Sequence, residues 1–319
     1  MKQFIIGLVL SLGALWLAFR DLNWQEFGEA ISQGNPFLVL MASLILVSAV
    51  PLRAIRWKIY LQPVAKVPIR LTSEATIIGY FGNNVLPFRL GELLRSYFVA
   101  RQTSSSISRV FGTVIVERIV DILSTLLLVL ILPFTGVVPD ALQQPILWLV
   151  VISIVVAIAT IWLARRKEGL PLVKGKLKQL LDNLHLGFIS LRQRRHYLVL
   201  GLSTIGIWVL YLAYIHVAQY AMGFRLSLAE SYLVLVTTTL VLLVPAAPGF
   251  VGTFHAAVVL AFVNILTEDP SRAQAMAVVL HAIGFIPYTI IGAILYFRSH
   301  LHFKDIRSQQ PAMGEENDQ

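Results

Sequence analysis

Six stretches of this chain are apolar over the thickness of a bilayer core, at about 3–19, 37–52, 110–133, 145–164, 198–222 and 273–297. Each is close to the roughly 17 to 25 residues that a helix needs to cross hydrocarbon. Only 13% of the 319 residues are charged and 57% are hydrophobic, against about 25% charged in an ordinary soluble domain. The polar surface is too small to keep such a chain in water. The expected fold is therefore all-α: a polytopic helical membrane protein with about six full spans. It forms a single transmembrane domain over 1–307, followed by a disordered polar tail over 308–319.

The 26 Lys and Arg exceed the 17 Asp and Glu, giving a formal charge of +9. Because the basic residues fall between apolar runs, they read as topology signals, and nucleic acid is not an expected partner. Arg53, Arg56, Lys58, Lys66 and Arg70 follow the second run, and a basic loop over 165–195 follows the fourth. Both belong in the cytoplasm, where anionic inner-leaflet lipids attract the second loop. An amphipathic helix over 174–197 suits that surface, and equally suits a solvated linker. The first apolar run has no small-residue cleavage site before Arg20, so it reads as a retained span. Both termini are then cytoplasmic, in a multi-pass protein of the inner (cytoplasmic) membrane. With no cysteine, disulfides and thiolate chemistry are excluded.

Two further apolar segments, 75–98 and 231–266, are interrupted by Pro, Gly and Asn. Charge parity makes the first enter and leave from inside and the second from outside, so they read as opposed re-entrant helical hairpins. The first break is Asn83-Asn84-Val85-Leu86-Pro87-Phe88-Arg89-Leu90-Gly91-Glu92-Leu93-Leu94-Arg95. Irregular backbone at membrane depth survives only when buried in protein or lining a polar cavity. A half-helix opening near Pro87 presents free N–H groups and a positive dipole end that favour an anion such as phosphate. Arg89 adds charge, and Glu92 and Arg95 stand three apart, as a pair would. The second break, Pro245-Ala246-Ala247-Pro248-Gly249-Phe250-Val251-Gly252-Thr253-Phe254-His255, repeats the spacing of Pro87 and Gly91 in Pro248 and Gly252. An inverted repeat would produce this arrangement, and so would coincidence.

A third constellation, Glu117-Arg118-Ile119-Val120-Asp121, sets a cation and two carboxylates within one apolar run. These groups can neutralise a head group and carry protons, or they can form an internal ion-pair cluster that fixes packing. Head-group binding is assigned to Asn83, Asn84, Arg89, Glu92, Arg95, Arg118, Pro248, Gly249 and Gly252. Proton coupling or ion pairing is assigned to Glu117, Asp121 and His255. His216, His281, His300 and His302 have no metal spacing and read as packing or interfacial residues.

Together the Leu86-Pro87-Phe88-Arg89-Leu90-Gly91-Glu92-Leu93-Leu94-Arg95 break, the Glu117-Arg118-Ile119-Val120-Asp121 cluster and the Pro248-Gly249-Phe250-Val251-Gly252 turn resemble the lysylphosphatidylglycerol synthase transmembrane-domain family, flippase-like membrane proteins. The likeness extends over about 3–298. It implies an inner-membrane protein acting on lipids, in some members as the flippase half of a lipid-modifying enzyme. The soluble aminoacyl-transfer domain of such enzymes is not expected after the last span. The family pattern also leads one to expect Glu shortly after the Pro-Gly-x-x-Gly turn, where His255 stands.

The favoured function is a flippase or transporter for an anionic phospholipid or polyprenyl-phosphate lipid. The alternatives are a membrane-embedded polyprenyl-phosphate glycosyltransferase-type enzyme and a noncatalytic scaffold of a lipid or envelope biosynthetic complex. No Asp-x-Asp pair or Gly-rich phosphate loop is present, and no catalytic residue, cofactor or metal is expected. The expected partner is a lipid with a phosphate head group. A homo-oligomer or a biosynthetic partner protein is compatible with the same reading.

Overall fold

The computed structural model describes residues 2–165, 194–241 and 246–299, and these are helical throughout, with no strand among them. The helices are α1 (Lys2–Phe19), α2 (Trp24–Ser32), α3 (Pro36–Val47), α4 (Ala49–Leu61), α5 (Ile69–Val85), α6 (Gly91–Thr103), α7 (Ile107–Ile131) and α8 (Asp140–Arg165). After the undescribed segment come α9 (Tyr197–Ala221), α10 (Leu228–Val241), α11 (Thr253–Val259) and α12 (Pro270–Arg298). A π-helical stretch, Leu260–Ile265, extends α11. The amphipathic segment expected over 174–197 and the tail over 308–319 lie outside the described residues, apart from a short turn at Arg194–His196 and the first residue of α9.

Local chemistry sets the helix starts. Asn23 and Asn35 accept from the first free N–H groups of α2 and α3 through their side-chain oxygens, and Ser106 does the same for α7. Asp269 caps α12, with Pro270 in the first-turn position that tolerates a missing N–H.

Among the described residues, four stretches are long and apolar enough to cross a membrane by length and composition: Pro36–Leu61, Tyr197–Ala221, Pro248–Ile265 and Pro270–Arg298. Shorter apolar helices run over Gly7–Phe19, Gln143–Ile152 and Leu228–Val241. The exposure pattern inverts that of a soluble protein. Trp16, Phe37 and Leu198 are 63%, 69% and 70% exposed, whereas Arg56 and Glu117 are fully buried. An apolar exterior around a partly polar interior is what lipid as solvent selects.

The structure corrects one expectation. The second span does not end at 52. Helix resumes after a turn at Ser48 and continues through α4 to Leu61; Pro51 has no N–H to offer the carbonyl of Val47 there. Arg53 and Arg56 are therefore buried helix residues, not members of a cytoplasmic loop, while Lys66 and Arg70 are exposed. In the second interrupted segment the later limb, Pro248–Ile265, is long enough to cross by length and composition.

The core has two main parts. One gathers Trp57, Tyr60, Ile78, Leu94 and Val114 from α4, α5, α6 and α7. The other gathers Ile215, Val234, Phe262, Met276 and Leu280 from α9 through α12, with α3 packed beside them. Helices α5 and α6 form a tight hairpin. At Gly91 an added Cβ would collide with the carbonyl oxygen of Gly79, so no larger residue fits that approach. Helix α5 also packs along α12, α1 packs on α11, and the connections of the two interrupted segments touch.

Candidate functional site

Helix α5 ends because Leu86 precedes proline and is pushed to an extended conformation (φ −99°, ψ 145°). Pro87–Arg89 then makes one 3₁₀ turn, and α6 begins at Gly91 rather than at Pro87. Asn83 donates to Glu92 Oε1 at 3.4 Å, tying the end of α5 to the first turn of α6. Asn84 turns away and donates to Thr289 Oγ1 at 2.8 Å and to the Phe285 carbonyl at 3.3 Å, anchoring the break to α12. Neither asparagine caps a helix.

The second break opens in the same way. Pro248–Phe250 is again a single 3₁₀ turn opened by proline, and a helix follows from Gly252. The third residue is left-handed in both turns: Arg89 at φ 54° and Phe250 at φ 58°. Non-glycine residues pay about 1 to 2 kcal/mol for that conformation. These two strained residues meet, with the Arg89 guanidinium 4.8 Å from the centre of the Phe250 ring, within cation–π range. The matched spacing of Pro87 to Gly91 and Pro248 to Gly252 thus gives two proline-opened turns with a left-handed third residue, but the turns otherwise differ: Gly249 and Gly252 are also left-handed, and Leu90 is helical (ψ −10°) where Val251 is extended (ψ 131°). The two breaks adjoin.

His255 and His281 hold the second turn. The Gly252 N–H points to His255 Nδ1 at 3.4 Å, so His255 serves as the N3 member of a capping arrangement, a position where Glu or Gln is usual. His281 Nε2 lies 2.7 Å from the Gly249 carbonyl, which requires a proton on that nitrogen. The two rings are 4.7 Å apart. Gly252, at φ 90°, lies against the Ser11 carbonyl of α1, and the Ala247 N–H donates to Ser11 Oγ at 2.8 Å. Gly252 and the cap of α11 are accordingly occupied by protein.

Beside the first break lies an ionic network. Glu117 of α7 is fully buried, and guanidinium groups from three helices converge on it: Arg56 at 3.2 Å and Arg53 at 3.5 Å from α4, Arg95 at 3.0 Å from α6, and its neighbour Arg118 at 3.6 Å. Asp121, one turn on, takes Arg53 at 3.1 Å, Arg118 at 3.3 Å and a close contact from Arg56. Glu92 pairs with Arg95 at 2.6 Å and faces Arg118 at 3.6 Å. Arg53 also donates to the Tyr211 hydroxyl at 2.7 Å, and Arg95 lies over the Trp57 ring at 4.6 Å. In low dielectric such charges persist only when paired. Among the described residues the network sets four guanidinium groups against three carboxylates, an excess of one positive charge. Arg118 is its most exposed member, at 33% of its side chain.

The expected site residues thus fall into two touching groups. Arg89 and the Pro248 and Gly249 turn form the junction of the breaks, and Glu92, Arg95, Glu117, Arg118 and Asp121 form the network. Sequence reasoning missed Arg53 and Arg56, which it placed in a loop. A signal was present: the two arginines stand three apart with Ala54, Ile55, Trp57, Ile59 and Tyr60 around them, the spacing of one helix face in an apolar setting. Among the described residues no group of three or more His, Asp or Glu is arranged to hold a metal ion.

The family described as the lysylphosphatidylglycerol synthase TM region matches residues 4–292. A UPF0104 membrane protein of Methanothermobacter thermautotrophicus is 25% identical over 328 residues, covering 94% of this chain and 97% of that protein. A UPF0104 membrane protein of Methanocaldococcus jannaschii is 24% identical over 220 residues, 68% of this chain and 93% of the relative. A 121-residue stretch, 38% of this chain, is 30% identical to 19% of the glycosyltransferase AglD of Haloferax volcanii. No solved structure matches the chain.

Proposed function

Because the chain belongs to the lysylphosphatidylglycerol synthase TM-region family of multi-pass membrane proteins, we propose that it is a lipid flippase. It moves an anionic phospholipid or polyprenyl-phosphate lipid across the cytoplasmic membrane. One observation carries this reading: two strained helix breaks abut through Arg89 and Phe250, beside an internal network richer in guanidinium than in carboxylate. Intramembrane ionisable groups of this kind mark substrate paths, and paired broken helices in transporters meet at the substrate site.

In this reading α5–α6 and α10–α11 are opposed re-entrant hairpins whose turns act as two halves of a gate. A head-group phosphate displaces carboxylate from Arg118 and shares Arg89, since guanidinium binds phosphate and carboxylate with the same fork geometry. The arginines carry the anion site more than the helix ends do. The first turn of α6 already holds Glu92, and Gly252 is capped by His255. Opening then alternates between leaflets as the Arg89–Phe250 contact breaks and reforms. The basic 165–195 segment keeps the protein on anionic inner-leaflet lipid.

The similarity to a glycosyltransferase supports a second reading, a membrane-embedded enzyme using a polyprenyl phosphate. Proteoliposomes separate the two. Protein-dependent transbilayer movement of a fluorescent phospholipid without chemical change supports the flippase. Glycolipid formation from a sugar nucleotide supports the enzyme. If neither occurs with intact protein, both fail and a noncatalytic scaffold remains.

A further inference from the structure

Resting on the reading that the two breaks form the gate of a lipid flippase, we infer that His255 is a proton site that controls this gate: neutral, it locks the second break, and protonated, it releases it. The first observation is a hydrogen bond of fixed polarity. The Gly252 N–H donates to His255 Nδ1 at 3.4 Å, so that nitrogen carries a lone pair and the neutral ring holds its proton on Nε2. A proton taken up at Nδ1 turns the acceptor into a donor and sets two N–H groups against each other at the start of α11. His281 behaves differently. Its Nε2 donates to the Gly249 carbonyl at 2.7 Å, and a proton on its other nitrogen keeps that bond. Of these two imidazoles, His255 is the one that loses its hold on the turn when protonated. Phe250 lies between the two glycines, so freeing the turn frees its contact with Arg89.

The second observation is what surrounds the ring. His255 is buried, with the His281 ring centre at 4.7 Å and that of Phe19 at 5.8 Å, while Phe254 and Phe285 flank His281 at 5.8 Å and 5.3 Å. Helix α11 packs on α1, α10 and α12, whose charged groups are engaged elsewhere. Arg20, just beyond α1, pairs with Asp21, and Glu230 of α10 accepts from the Ser227 N–H. On α12, Asp269 accepts from the Arg272 N–H, and Arg272 donates to the Met222 carbonyl. Among the described residues the one titratable group that acts on His255 is His281, and no carboxylate faces either ring. A buried cation without a counter-charge is costly, so a proton on His255 is accommodated once the turn opens to water. A ligand that binds the open state draws the equilibrium toward it, and one proton does so by up to about tenfold per pH unit.

The test uses the full chain in phosphatidylcholine vesicles carrying a fluorescent phosphatidylglycerol, whose single charge is constant over the range used. Extraction of the reporter by albumin reads transbilayer movement, with the same pH on both faces. From about pH 8 to about pH 5 the wild-type rate is expected to rise at least about tenfold. His255→Gln keeps an acceptor for Gly252 that does not titrate and should flatten the profile. His281→Gln keeps a donor to Gly249 and should leave the rise in place. A nitroxide on Val251→Cys, at an exposed position in a chain without cysteine, reports the turn itself. It should gain mobility in acid, and should not when combined with His255→Gln. A flat wild-type profile, a rise that survives His255→Gln, or a rise lost in His281→Gln overturns the inference and leaves lipid transport standing. If the reporter moves at no pH, the flippase reading fails and the nitroxide decides: mobility released by acid through His255 upholds the proton site, and unchanged mobility overturns it.

Discussion

Replacing Glu117 with Gln removes the charge on which the ionic network converges while keeping side-chain volume. Glu117 is fully buried, and Arg53, Arg56, Arg95 and Arg118 all lie within 3.6 Å of its carboxylate. The substitution doubles the network's excess charge, from one to two. It leaves Arg95, itself 3% exposed, with Glu92 as its one remaining carboxylate. Breaking a buried pair by removing one partner typically costs about 3 to 5 kcal/mol. That corresponds to a fall in melting temperature of roughly 6 to 20 °C for a protein of this size class.

Tryptophan fluorescence in detergent during a thermal ramp follows the loss directly, because Trp57 donates to Thr113 at 3.1 Å and carries Arg95 on its ring. The exposed Arg70–Glu74 pair is the control, since Glu74→Gln should leave the melt where it is. Pairing Glu117→Gln with Arg95→Met returns the excess to one charge and should recover more than half of the loss. A Glu117→Gln protein that melts with the wild type would refute the view that the network holds α4 against α6 and α7.

Arg118→Ala and Arg89→Ala should each lower lipid movement in proteoliposomes by at least about tenfold while leaving membrane protein level unchanged; equal loss of protein would assign these arginines to structure alone. Gly91→Ala drives a methyl group into the Gly79 carbonyl and should cost about 1 to 3 kcal/mol, read as a lowered melting temperature. His255→Ala should lose about 1 kcal/mol of stability through the cap on α11, and His255→Gln should retain it, in the same melt. Because the chain has no cysteine, single cysteines at Lys66 and Asp140 can be labelled with an impermeant maleimide from either face. The expected topology puts them on opposite sides, and labelling from the same side would break it.

Much of the candidate site was legible in residues that violate their surroundings. Pro87 and Pro248 interrupt apolar runs, and Glu117, Arg118 and Asp121 put three ionisable groups where lipid tolerates few. A local signal of this kind survives without the fold because the penalty it breaches is local. Arg53 and Arg56 were misread for the complementary reason: a basic residue next to an apolar run looks the same whether it reaches cytoplasmic water or a carboxylate inside the protein.

The amino-acid order by itself determined that this is a helical membrane protein, where its helices break, and which charges lie within apolar segments, since these follow from apolar length, proline geometry and the period of the helix. Only the tertiary structure decided which charges neutralise one another. Arg53 meets Glu117 and Asp121 from 64 and 68 positions away, and Arg89 faces Phe250 from the other break. Such pairings depend on how helices pack, and packing is set by contacts between distant segments, which periodicity along one helix does not encode.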